Sequence, residues 1–272
     1  RDVLGSRGLG DVYKRQGFRR SYMEPVIVID LDNTLLKSDK TISDYSVNVL
    51  KKCQMLGAKI VYSTARSLQA SRELLKKFSP DAYVGYGGAL IITPQKEILR
   101  FEIPNKTSKK IIDECFQSRD VAGVYAVNEY ISLYNGVKPI DSYYQYSDCL
   151  CDYNQRFLKI SILVNDINWI KNFAVRFPMC NVVWYDNESI FSILDYNATK
   201  WNSVKLITEY CNRDINSVIA FGDDYNDIEM IKNCGVGVAV KNAISEVKTV
   251  ADYICKSNDE DGVARWLEKY IL

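Results

Sequence analysis

Histidine is absent from the chain, and that single absence removes whole classes of chemistry. Ser-His-Asp hydrolases, phosphatases with a histidine nucleophile and histidine-ligated zinc enzymes are all excluded. No Cys-x5-Arg phosphate loop and no GxxxxGK[ST] loop occurs either. The formal charge is only +1, which gives no electrostatic case for nucleic acid as a partner. No apolar run nears the roughly 18–20 residues that span a bilayer, so no membrane partner is expected. The eight cysteines are scattered without a CxxC pair, which reads as reduced thiols in a cytoplasmic protein. Cys149 and Cys151 form a Cys-x-Cys that would suit a soft metal only with further ligands, so burial as ordinary thiols is the simpler expectation. Carboxylates, lysine, hydroxyls and a metal are what remain.

At 272 residues the chain has room for a core domain plus a smaller one. Its first 16 residues, RDVLGSRGLGDVYKRQ, carry four basic and two acidic side chains with no periodicity. The part from Ser6 to Gln16 resembles the conceptual translation of a sequencing adapter, and residues 1–22 are set aside as an artefactual or disordered tail.

From Val26 the pattern is that of a doubly wound sheet. The β-branched run 26–29 reads as a strand buried on both faces. A helix is expected over 44–55, capped by Ser43 and ended by Gly57, then a strand over 59–63. Ser67 is a candidate cap for a helix running to Phe78, and a short strand begins at Val84. The texture changes after Tyr86. Helices are expected over 106–118 and 166–177, and strands over 121–127, 157–164, 181–185 and 189–194, around a tyrosine- and asparagine-rich stretch at 125–153. The α/β rhythm resumes with a helix over 199–211, a strand over 217–221, a short helix over 226–233, a strand over 235–240 and a last helix over 261–272. The expected fold is α/β, a Rossmann-like parallel sheet core (23–85 and 193–272) with an inserted α+β cap domain (86–192).

Chemistry concentrates at four places. The sequence VIVIDLDNTL at 26–35 sets Asp30 and Asp32 directly beyond a buried parallel strand, where open α/β sheets bind ligands. Two carboxylates in one mouth need a proton or a cation between them, and Mg2+ is the natural hard ion. IAFGDDYND at 219–227 repeats the arrangement with Asp223, Asp224, Asn226 and Asp227. Taken singly it would be a surface turn; with the first cluster it makes a metal cage if the two strands are neighbours. Ser63-Thr64-Ala65-Arg66 follows the second strand and offers a hydroxyl and backbone N–H groups to an anion. Lys200 falls in the first turn of a helix, where a cation opposes the helix dipole unless an anion lies between them. In isolation it would be a solvated lysine.

These four stations, in this order, resemble the haloacid dehalogenase (HAD) superfamily over residues 24–272, and within it the Cof-like sugar-phosphate phosphatases of type IIB with an α+β cap. The closing NDEDGVA at 258–264 looks like that family's tail. The resemblance implies that Asp30 attacks phosphorus, and that Asp32 protonates the leaving oxygen and then activates water. It implies that Thr64, Lys200 and Asn226 hold the phosphoryl oxygens. Metal ligation would fall to the Asp30 carboxylate, the Asp32 main-chain carbonyl and Asp223, with Asp227 and Asn226 ordering the metal shell and Lys200. Asp32 would then need a raised pKa, from its acidic neighbour and from closure of the cap. Four positions depart from the family pattern: Asn33 for glycine, Ala65 for the glycine of Thr-Gly-Arg, Gly87-Gly88 for Asn-Gly, and Trp201 for a small residue, which would narrow the pocket.

The implied activity is Mg2+-dependent hydrolysis of a small phosphorylated metabolite, such as a sugar phosphate. A phosphomutase of the same fold and a non-catalytic phosphometabolite-binding protein are the alternatives. The cap tyrosines Tyr125, Tyr130, Tyr134, Tyr143, Tyr144 and Tyr146 are candidates for stacking on a substrate, though packing is the more ordinary use. The oligomeric state is unreadable.

Overall fold

The computed structural model describes residues 24–128, 132–139, 144–147, 150, 156–184 and 189–272. Cys149, Cys151, Tyr130 and Tyr143 lie outside them, as does the tail before residue 24.

The chain opens with β1 (Val26–Ile29), α1 (Asp44–Met55), β2 (Lys59–Ser63), α2 (Arg72–Lys77) and β3 (Ala82–Gly85), followed by β4 (Leu90–Ile92) and β5 (Glu97–Arg100). Every residue of β1 is fully buried, as a strand covered on both faces by helices must be. Ser43 caps α1 by accepting the Ser46 N–H at 3.0 Å, a contact typically worth about 1 kcal/mol. Ser67 accepts the Ala70 N–H at 3.1 Å, so it caps a turn, and the helix itself starts only at Arg72.

Next come α3 (Asn105–Gln117), β6 (Val121–Val127), β7 (Ser132–Gly136), β8 (Gln145–Tyr146), β9 (Lys159–Val164), α4 (Asn168–Arg176), β10 (Cys180–Trp184) and β11 (Ile190–Asp195). The chain closes with α5 (Lys200–Tyr210), β12 (Val218–Gly222), α6 (Ile228–Asn233), β13 (Val236–Ala239), α7 (Ser245–Val250), β14 (Tyr253–Ile254) and α8 (Gly262–Tyr270).

Two sheets result. The larger has the order β14-β13-β12-β1-β2-β3-β4-β5, parallel from β14 to β3 and antiparallel beyond. The smaller, β10-β11-β9-β6-β7-β8, is antiparallel except for the β7–β8 pair. In the smaller sheet, Ile111 and Ile112 of α3 and Ile170 and Phe173 of α4 are buried in one cluster with Val124, Ile160, Ile162 and Phe191. A third cluster, including Tyr86, Leu90, Val127, Leu158 and Leu194, joins residues of the two sheets.

One difference concerns position 86, where the sequence predicts the core to end. Strands β4 and β5 continue the larger sheet antiparallel from β3, so its hydrogen bonding runs on to Arg100. Both strands are short and β5 is only half-covered, which leaves little periodic signal. Strand β9 begins at Lys159 because Phe157 forms an isolated bridge to Ile103 instead. Among the described residues no helix is long and apolar enough to cross a membrane.

Candidate active site

The register of the larger sheet creates the site. β1 and β12 are adjacent and parallel, with Ile29 opposite Phe221, so the two acidic turns leave the sheet side by side. The Asp30 N–H donates to the Phe221 carbonyl at 3.0 Å, extending the ladder one residue into the site. Gly222 ends β12 where a Cβ would lie 2.5 Å from the Asp227 Cβ and Cγ; its missing side chain lets the Asp227 carboxylate fold back over the turn. There one Asp227 oxygen accepts the N–H groups of Asp223 (3.0 Å) and Asp224 (3.2 Å).

Lys200 is the first residue of α5, whose cap is Thr199 accepting the Asn202 N–H at 3.0 Å. Its ammonium is 2.6 Å from both Asp30 Oδ1 and Asp227 Oδ1. Lys200 is 2% exposed and Asp227 0%, so this ion cluster is largely withdrawn from water. The anion expected beside this lysine is thus a pair of carboxylates. Asp223 completes the group, accepting a hydrogen bond from Thr34 Oγ1 at 2.8 Å.

Carboxylate oxygens of Asp30, Asp223 and Asp227 all lie within 4.8 Å of one another. Three carboxylates facing one ammonium leave the cluster short of two positive charges. The acids respond. Burial first, then the charges of Asp227 and Asp223, push the Asp30 carboxyl well above its ordinary range although Lys200 opposes them. Burial and the charge of Asp227 push Asp223 up to about 7, against the Thr34 hydrogen bond and Lys200. Burial would lower the Lys200 ammonium, but Asp227 and Asp30 outweigh it and hold the lysine charged. An all-oxygen, charge-deficient donor set fits a hard divalent cation, which would supply the missing charge. Beside it, Asn226 Oδ1 is buried with no hydrogen-bond partner among the described residues, a further oxygen available to such an ion's shell or to a bound ligand.

Asp32 behaves otherwise than its neighbour would suggest. Its side chain turns away from the three acids into a bidentate pair with Arg66, at 2.7 Å on each oxygen, with Lys40 at 3.1 Å. Burial raises its pKa, but the Arg66 hydrogen bond and the charges of Arg66 and Lys40 win and bring the carboxyl below its ordinary range. The raised pKa expected from the sequence is therefore corrected: two cations, not a second acid, face Asp32 in this structure. Thr64 is buried, and its Oγ1 accepts the Arg66 N–H at 3.1 Å, shaping the loop that presents Arg66.

A cavity of about 670 Å3 opens onto Asp30, Asp32, Thr64, Asp223 and Asn226. Lys200 and Asp227 stand behind it, reached through the carboxylates. Trp201 does not line it; the indole packs against the hydrophobic core with the Lys205 ammonium 5.5 Å above the ring. Nor do the described tyrosines line it: Tyr125 with Tyr144 and Tyr134 with Tyr146 form edge-on pairs. Thr34, Arg66 and Lys40 were not singled out for these contacts in the sequence. Thr34 follows the Asp30-x-Asp32 pair and Arg66 closes the 63–66 segment, but their partners are 189 and 34 residues away.

The sequence pattern of the haloacid dehalogenase-like hydrolases matches residues 27–267. The chain belongs to that family. It is 29% identical, over 91% of its length and 96% of the relative's, to the 5-amino-6-(5-phospho-D-ribitylamino)uracil phosphatase YcsE of Bacillus subtilis. A second phosphatase of that name, YitU, also from B. subtilis, is 25% identical over 90% of this chain and 97% of its own. Among solved structures, a HAD subclass IIB sugar phosphatase superposes with a TM-score of 0.81 at 20% identity, covering 90% of this chain and 98% of that one, a likeness of fold. A haloacid dehalogenase-like hydrolase from Bacteroides thetaiotaomicron gives 0.79 at 26% identity, covering 90% and 99%. Family and relatives give the chain the enzyme class of a phosphatase.

Proposed function

We propose that this phosphatase hydrolyses a small phosphorylated metabolite, of the sugar-phosphate or ribityl-phosphate kind, through a covalent phosphoryl-enzyme on Asp30 with Mg2+ as cofactor. The observation that carries the reading is the buried cluster of Asp30, Asp223 and Asp227 about Lys200, two positive charges short, with Asp30 and Asp223 lining an open cavity. The cluster is built to bring an anionic ester and an anionic nucleophile together, which costs several kcal/mol in a dry site without counter-charge.

Bound Mg2+ would supply that counter-charge and polarise the phosphoryl group. Asp30, Asp223 and the Asp32 main-chain carbonyl are the residues that would hold it. The Asp30 carboxylate attacks phosphorus, forming an Asp30–phosphorus bond as the ester oxygen leaves and takes a proton from Asp32. Water then attacks the acyl phosphate, Asp32 takes its proton, and inorganic phosphate leaves with Asp30 regenerated. Arg66 and Lys40, which keep Asp32 ionised, suit it to the second half-reaction; they must yield when it enters the first with a proton. Lys200 keeps Asp30 aimed and partly neutralised until the ester arrives. Thr64 and Asn226, both lining the cavity, would hold the phosphoryl oxygens. The smaller sheet with α3 and α4 acts as the cap that selects the substrate.

The test is phosphate release from a panel of phosphorylated sugars and ribityl compounds, with magnesium or chelator, for the parent and Asp30→Asn. Magnesium-dependent release that Asp30→Asn abolishes supports the reading. Equal release by the two proteins would remove Asp30 as nucleophile.

A further inference from the structure

The turn that carries Asp32 into the site is held by two asparagines that line the same cavity and that the chemistry above does not use. Asn33 has φ 57°, the left-handed region that non-glycine residues enter at a cost, though asparagine enters it most readily. The turn closes through Leu36 N–H to the Leu31 carbonyl at 2.8 Å, which leaves the Asn33 and Leu36 carbonyls facing outward. Each meets one asparagine amide. Asn242, in the loop after β13, donates Nδ2–H to the Asn33 carbonyl at 2.7 Å. Asn258, in the segment after β14, donates Nδ2–H to the Leu36 carbonyl at 3.0 Å and is buried. The two are themselves joined, the Asn258 N–H donating to Asn242 Oδ1 at 3.0 Å.

The result is a closed bridge from Asn33 through Asn242 and Asn258 back to Leu36. Adjoining contacts extend it: Asp259 accepts both Ser38 N–H (2.8 Å) and Ser38 Oγ–H (2.7 Å), and Asp261 accepts Ser43 Oγ–H at 2.6 Å. Asp32 immediately precedes the clamped residue, and Thr34, which holds Asp223, immediately follows it. We infer that Asn242 and Asn258 are positioning residues, a clamp that fixes the turn 31–36 and with it the Asp32 main chain and the Thr34–Asp223 bond. The catalytic part of this inference rests on the function proposed above; the clamp itself does not.

The test uses Asn242→Ala, Asn258→Ala and the double variant in the full chain. Asn242 is exposed, so its variant folds even if the Asn258 one does not. Hydrogen exchange of the peptide spanning 31–38 should quicken about tenfold in Asn242→Ala while the amides of β1 stay protected, as expected for one lost contact in a local opening. kcat should fall about tenfold with KM within about twofold of the parent, the signature of a lost transition-state alignment. Where both single variants fold, the double should be no worse than the worse of them by more than about twofold, since either break opens the bridge. Unchanged exchange in 31–38 would overturn the clamp. Faster exchange with kcat within about twofold of the parent would overturn the positioning role. If the parent released no phosphate from any ester tried, the phosphatase reading would fail instead, and exchange would still decide the clamp.

Discussion

Replacing Lys200 by methionine removes the ammonium that pairs with Asp30 and Asp227 while keeping nearly the same volume. The structure sets the size of the effect. Two charge-assisted hydrogen bonds of 2.6 Å vanish, and the carboxylates of Asp30 and Asp227, both buried, lose their counter-charge. Breaking a buried ion pair from one side costs about 3–5 kcal/mol, because the remaining charge stays in the interior. Part of that cost is avoidable, since the Asp30 carboxyl is already pushed upward by burial and would take up a proton more readily without the lysine. The folded variant then binds a proton that its unfolded chain does not, so its stability deficit shrinks as pH falls, by up to about 1.4 kcal/mol per unit per proton. Urea unfolding in chelator should show Lys200→Met about 3–5 kcal/mol less stable than the parent near pH 8, with a smaller gap near pH 5. A loss below about 1 kcal/mol at the higher pH would mean that Lys200 is not the cluster's counter-charge, and the electrostatic reasoning would fail.

The parent without metal should itself lose stability as pH rises. The Asp223 carboxyl sits up to about 7, above its ordinary value, so the folded state holds an extra proton below that point and releases it above. Melting temperatures in chelator should fall from about pH 5 to about pH 8 and then level, and magnesium should flatten the slope; a rise over that range would contradict the assignment. Thr34→Val deletes a 2.8 Å buried hydrogen bond to Asp223 and should cost about 1–3 kcal/mol; it should also raise the magnesium concentration for half-activation, read from a titration of rate. Gly88 has φ +108°, and a Cβ there would lie 2.4 Å from the Thr199 carbonyl oxygen, on the residue that caps the Lys200 helix. Gly88→Ala should therefore destabilise by more than about 3 kcal/mol and displace Lys200, and a melting temperature equal to the parent's would contradict the packing described.

The core of the fold was legible because its strands carry their own signal. The run 26–29 is β-branched without interruption, and each of its residues proves buried. The pairing of β1 with β12 followed from requiring two acidic turns to meet. Strands β4, β5 and β7 were not legible: three to five residues of incomplete burial show no period on which to decide. In the site, residue types and their clustering were readable, but side-chain direction was not. Asp32 faces Arg66 and Lys40 because the left-handed Asn33 turns the chain there, and the contacts that hold this turn come from residues 242 and 258. Lys200 announces an anion by sitting at the wrong end of a helix, and the resemblance ties it to Asp227, yet its pairing with Asp30 needed the fold.

The most direct test of the account is to stop the parent during turnover with acid, digest it, and look for phosphate on the peptide containing Asp30. A phosphoryl group on Asp30, formed in the presence of magnesium and absent from Asp30→Asn, is the expected result. An enzyme that turns over without such an adduct, and whose Asp30→Asn variant releases phosphate as fast as the parent, would contradict it.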